Sequence, residues 1–213
     1  MHIIGIDLSG PRNVADTSAA VFRAQGTGLL FEHAIHNADD RAINDLVSNI
    51  GMTDGVTVGI DAPLSYNPGG GDRPSDRALR RQVHAKGRAG VMPPTLIRMV
   101  YLTLRGIALT RALETLKPQL DIRIVEVHPG AAMLLQDAPP LDVAAFKSDK
   151  AARLRLLDWL QTKGLHDLPR PESTSDHFVA ACAASLAAWQ WAIGKPAWCV
   201  PAQPPDHPYD FAC

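Results

Sequence analysis

The chain has 213 residues, of which 46% are hydrophobic and 20% charged, a balance suited to a soluble domain that buries roughly 70% of its unfolded surface. Lys and Arg total 21 against 22 Asp and Glu, so the formal charge is -1 and a polybasic coat for nucleic acid is excluded, though a local basic patch is not. Three cysteines at irregular spacing, with no C-x-x-C, exclude a disulfide framework and a zinc knuckle.

In chain order, residues 2–8 form an apolar run too short for a helix and predict a buried strand. Residues 18–24 and 29–36 flank Gln25-Gly26-Thr27-Gly28 and predict a hairpin. Ile43, Leu46, Val47 and Ile50 fall at i, i+3, i+4 and i+7, so residues 39–50 predict a helix. Residues 56–61 predict a second buried strand, stopped by Pro63. Residues 67–74 form a loop with three successive glycines and two prolines. A helix is expected over 75–86, ended by Gly87, and a longer one from Pro94 to Lys117, halted by Pro118. Residues 121–128 predict a third strand ending at Pro129. Ser148 is expected to cap a helix over 149–163, with Gly164 beyond it. A last, Ala-rich helix spans 176–193; Ser185 and Gln190 break its apolar run short of the ~20 residues a membrane span needs. The start of the chain reaches Asp7 too soon for a signal peptide, so the expected setting is cytoplasmic, without membrane attachment. The order predicts an α/β domain of three layers, a mixed sheet with helices on both faces. It is expected to be one domain over 1–213, with its core at about 2–194 and a Pro-rich tail, 195–213, on the surface.

Three buried-looking strands carry a carboxylate: Asp7, Asp61 and Glu126. An ionised acid in an apolar strand is costly unless paired, hydrogen-bonded or metal-bound. Strands of an open sheet present their carboxyl ends along one rim, where ligands usually sit. Acids sharing that rim need protons or a cation to relieve their repulsion, and an oxygen-only set suits Mg²⁺ or Mn²⁺, two ions being expected. Asp176, at the start of the last helix, is a fourth candidate. Each acid also has a structural reading. Asp7 and Asp61 can accept backbone N–H groups in the turns after their strands. Glu126 can pair with Arg123 or a helix arginine, and Asp176 fits the capping box Ser173-Thr174-Ser175-Asp176.

The segment after Asp61 is locally basic: Arg73, Arg77, Arg80, Arg81, Lys86 and Arg88 against Asp72 and Asp76. Arg73, Arg77, Arg80 and Arg81 fall at i, i+4, i+7 and i+8, one face of a helix that includes Arg73. Guanidinium forks grip phosphate, so this strip suits a phosphodiester; the plainer reading is a solvated face with internal Asp–Arg pairs. Gly69-Gly70-Gly71 lacks the Lys-Ser/Thr ending of a P-loop and reads as a loop alone.

Ile4-Gly5-Ile6-Asp7 with Asn13 downstream, Gly59-Ile60-Asp61-Ala62-Pro63-Leu64, Arg73…Asp76-Arg77, Val125-Glu126-Val127-His128-Pro129 and the late Asp176 together resemble domain-of-unknown-function family 429, a predicted nuclease family with a ribonuclease H-like fold. The resemblance spans about 3–194. It implies a central sheet of five strands, the first three antiparallel, and an acidic two-metal site. It also implies a basic patch at Lys147, Lys150 and Arg153. The acids do not follow the spacing of ribonuclease H itself, so a hybrid substrate does not follow.

The leading expectation is therefore a metal-dependent nuclease hydrolysing phosphodiester bonds of DNA or RNA. In it, Asp7, Asp61, Glu126 and Asp176 hold the ions. His128 orients Glu126 or shuttles a proton, and Arg73, Arg77, Arg80, Arg81, Lys86, Lys147 and Lys150 hold the substrate. The broad superfamily includes dimers that cut branched DNA, which leaves a homodimer open. One rival is an actin-like phosphotransferase, for which Asp7-Leu8-Ser9-Gly10 fits but a second Asp-x-Gly loop is missing. Another is a metal- or nucleic-acid-binding module that cuts nothing; with 6% aromatic residues it has no obvious stacking platform for single strands.

Overall fold

Residues 1–86, 96–170 and 174–213 are described in a computed structural model of the protein. The expected helix stop at Gly87, the basic Arg88, the start of the long helix at Pro94 and the Ser173 end of the capping box lie outside those residues.

The apolar runs become the strands they predict. β1 (His2–Asp7), β2 (Ser18–Gln25) and β3 (Gly28–His36) pair antiparallel in succession. β4 (Val56–Asp61) joins β1 in parallel, and β5 (Ile122–Val127) joins β4 in parallel. Among the described residues this mixed sheet has eight strands, however, not five. β6 (Leu165–His166) pairs in parallel with β3, β8 (Phe211–Ala212) pairs in parallel with β5, and β7 (Cys199–Val200) pairs antiparallel with β8. Two-residue strands carry no periodicity, so nothing in the pattern announces them. The tail is corrected with them: Phe211, Ala212 and Cys213 are buried in the core rather than laid along the surface.

Alternation along each strand sends successive side chains to opposite faces. Ile4, Ile6, Val58, Ile60, Ile122 and Ile124 share a core with Ile43 and Val47 of α1 (Asp40–Gly51) and Leu109 and Leu113 of α3 (Leu96–Glu114). Ile3, Phe22, Val125 and Val127 pack on the other face against α4 (Pro129–Leu135), α6 (Lys150–Thr162) and α7 (Asp176–Ala192), with Leu79 and Val83 of α2 (Pro74–Ala85) in the same core. Helices therefore cover both faces. Closest of all is α7, because two strand glycines face it. A Cβ on Gly5 would lie 2.1 Å from the Ala181 carbonyl oxygen, and one on Gly59 2.7 Å from the Ala188 methyl.

Four helix starts differ from expectation. Asp149, not Ser148, caps α6, its Oδ1 accepting from the Ala151 N–H at 2.8 Å. Pro129 and Pro140 do not simply end things: each opens a helix, α4 and α5 (Pro140–Ala145), since proline suits the first helical position. Ser175 caps α7 by accepting from the Phe178 N–H at 3.1 Å, so Asp176 is the first helical residue and not the acid of a capping box. Among the described residues no helix is long and apolar enough to cross a membrane.

Candidate active site

β1 and β4 run parallel in register, so Asp7 stands directly beside Asp61 where both strands end. Both residues share strand parity with Gly5 and Gly59, which places them on the face covered by α7. The two carboxyls hydrogen-bond to each other. Burial first, then the charge of Asp7 and this hydrogen bond, push the Asp61 carboxyl well above the usual carboxylate range, while Lys147 pulls the other way.

The α7 start supplies the next partner. His177 Nδ1–H donates to Asp7 Oδ2 at 2.7 Å, and His177 Nε2 lies 3.8 Å from Asp16 and 3.9 Å from Asp176. The Asp7 hydrogen bond raises the His177 pKa above its ordinary value, against the opposing effect of burial, with Asp176 and Asp16 adding to the rise. These groups open into a cleft of about 670 Å³ whose walls include Asp7, Asp16, Asp61, His128, Lys147, Asp176 and His177. Among the described residues, no three His, Cys, Asp or Glu side chains form a group ready to hold a metal ion.

Glu126 does not join them. It pairs in register with Ile60, one position short of the rim, and shares its parity with Ile122 and Ile124, so it faces away from Asp61's side of the sheet. Both of its oxygens are held: Oε2 accepts from Arg73 Nη1 at 2.8 Å and from the Leu64 N–H at 2.9 Å, and Oε1 from Arg73 Nη2. Arg73 also binds Asp76 through Nε and Nη2 at 3.0 and 2.7 Å. Burial alone would lower the Arg73 pKa, but Glu126 and Asp76 outweigh it and drive it upward. The expectations of Glu126 as an available metal ligand and Arg73 as a phosphate grip are corrected: each is occupied by the other in the core, at 4% and 3% exposure.

A family model described as a protein of unknown function matches residues 5–206. The chain belongs to the DUF429 family. Comparison with curated proteins finds no match. The family resemblance read from the sequence is met; the family's description carries neither an activity nor a ribonuclease H-like fold.

Other expected residues of this DUF429 chain are scattered differently. Of the expected substrate-binding cations, Lys147 comes to the cleft. Arg77 and Arg81 are exposed on α2, where Arg77 donates to the Asp72 carbonyl and Arg80 pairs with the Asp72 carboxylate. Lys86 pairs with Asp137 at 2.9 Å, and Lys150 is exposed at the start of α6. His128 caps α4, its Nδ1 accepting from the Ala131 N–H at 3.2 Å, while its ring lines the cleft.

Sequence reasoning missed three residues. His177 lies next to Asp176 at a helix start, where an Asp-His pair was there to be read. Asp16 sits in a single turn, Val14–Asp16, with no pattern to mark it. Arg105 interrupts an apolar stretch of α3 and ties together the segment after β1, the residue before β2 and the start of α1. Its Nη1 donates to the Ser9 carbonyl and to Thr17 Oγ1, both at 2.8 Å, Nη2 donates to the Ala38 carbonyl at 3.1 Å, and Nε to Asp40 at 2.7 Å.

Proposed function

We propose that the protein is a divalent-metal-dependent phosphodiesterase acting on nucleic acid, with Asp7 and Asp61 as the metal-binding pair. One observation carries the reading: two carboxyls stand side by side at the ends of adjacent parallel strands, where burial and the charge of Asp7 push the Asp61 carboxyl upward. Asp7 and Asp61 would hold a divalent cation, whose charge would relieve their repulsion with both carboxylates ionised. The donor set is oxygen from the two carboxylates, which fits Mg²⁺ or Mn²⁺; Asp176 lines the same cleft but does not close a three-ligand group with them. Bound there, such ions lower the pKa of an attacking water and stabilise the leaving oxygen.

The chain's own residues supply the rest. His177 fixes the orientation of Asp7 through Nδ1 and carries a proton on Nε2 toward the cleft, where it can protonate a leaving oxygen. Lys147 places positive charge on the wall of the same cleft, where a phosphate would sit. The Arg73–Glu126 pair keeps the Asp61-to-Leu64 turn in place through the Leu64 N–H. Arg77 and Arg81 offer exposed charge for flanking phosphates. The test is cleavage of labelled single-stranded and duplex oligonucleotides with Mg²⁺ or Mn²⁺. Metal-dependent cleavage by the native protein that is abolished in Asp7→Asn supports the reading; cleavage equal in the two proteins overturns it.

A further inference from the structure

Beside the acidic cleft lies a second cavity of about 410 Å³, and His177 lines both. Its apolar walls come from Phe31, Ala34, Pro169 and Phe178. Phe31 meets Phe178 edge-to-face at 5.9 Å and 90°. One rim is polar: Ser18 Oγ and His36 Nδ1 share a hydrogen bond at 3.0 Å, and Asn37 follows with a left-handed backbone, φ 55°. Among the described residues the lining holds no Asp, Glu, Lys or Arg. The neighbouring cleft holds both signs of charge.

That contrast divides one ligand between two sites. We propose that this cavity receives a nucleobase of the substrate, unpaired and withdrawn from any stack, while its phosphate lies across His177 in the acidic cleft. The inference rests on the phosphodiesterase reading and names its substrate class. A base is a flat, neutral ring with hydrogen-bonding edges, so it suits aromatic and proline walls with a Ser–His–Asn rim. The lining offers a phosphate no Lys or Arg, and the one group it shares with the acidic cleft, His177, is hydrogen-bonded to Asp7 on that side. The volume falls in the range of small-ligand pockets and suffices for one nucleoside. A duplex must therefore open or flip a nucleotide to engage it, whereas a single strand or frayed end needs no such step. The two phenylalanines supply a stacking wall that a count of aromatic residues does not reveal.

The experiment uses uncharged nucleosides, adenosine, guanosine, cytidine, uridine and thymidine, titrated at millimolar concentration without metal and followed by saturation-transfer NMR. Because no phosphate or metal takes part, the result is separable from the catalytic reading. At least one nucleoside is expected to bind the native protein and Asp61→Asn alike. Ala34→Trp fills the cavity from β3, and His36→Ala removes its polar rim; each is expected to weaken that binding about tenfold or more. Circular dichroism checks that both variants are folded, and His36→Ala decides if Ala34→Trp is not. Absence of binding by the native protein, or binding undiminished in the folded variants, overturns the proposal while leaving the cleavage test untouched.

Discussion

Asp61 shows what a carboxyl costs when its neighbour is another carboxyl. Its folded pKa lies well above that of the unfolded chain. Between those two values the folded state binds a proton that the unfolded state lacks, so stability falls as pH rises through the folded pKa and is fullest below the unfolded one. Asp61→Asn removes that slope and keeps an amide that can still donate to Asp7. Melting temperatures measured against pH in chelator are predicted to fall less steeply for the variant, which melts above the native protein at neutral pH. A variant that melts lower there contradicts the strained pair. Asp7 and Asp61 were legible because strand ends of an α/β sheet share a rim, and an acid closing an apolar run stands out. Glu126 was read the same way and belongs elsewhere. It sits one residue before its strand ends, and one residue of register reverses the face. His177 escaped because its partner is 170 residues away.

Among the elements, α7 sets how closely the site is built. Its alanines descend onto Gly5 and Gly59, bringing the helix backbone against β1 and carrying His177 to Asp7. Gly5→Val drives a side chain into the backbone of α7 around Ala181 and Ser185, where no rotamer can yield. Overpacking of this kind usually costs about 1–3 kcal/mol, and a clash with backbone lies at or beyond the upper end. Urea denaturation is predicted to show a loss of at least about 3 kcal/mol; a change near zero would mean that α7 stands off from the sheet. Periodicity made the long strands and the helices α1, α2, α6 and α7 readable, since each spans several repeats of its pattern. It could not announce β6, β7 or β8, which are shorter than one repeat. Proline misled at 129 for a different reason: the same ring that ends a strand is well placed in the first turn of a helix.

Across the whole molecule, the last residues complete the core next to the site. β8 pairs with β5 at Glu126 and Val127, and Phe211 lies against Trp198 edge-to-face at 5.3 Å and beneath the Arg73 guanidinium at 5.6 Å. Asp210 accepts from Trp191 Nε1 at 2.7 Å, and His207 shares a hydrogen bond with Ser65 at 2.8 Å. Removing 195–213 therefore uncovers the Arg73–Glu126 pair. Thermal unfolding of the shortened chain is predicted to occur at a markedly lower temperature or without a cooperative transition, whereas an unchanged transition would return the tail to the surface. The proline content of the segment concealed this, because proline-rich composition describes an irregular backbone without saying where it lies. β1 and β4 bring Asp7 and Asp61 together, and on our proposal the pair holds a divalent cation. The most direct measurement is calorimetric titration of Mn²⁺ into the native protein and into Asp61→Asn. Saturable binding by the native protein that disappears in the folded variant is the predicted result; equal binding by both, or none by either, contradicts it.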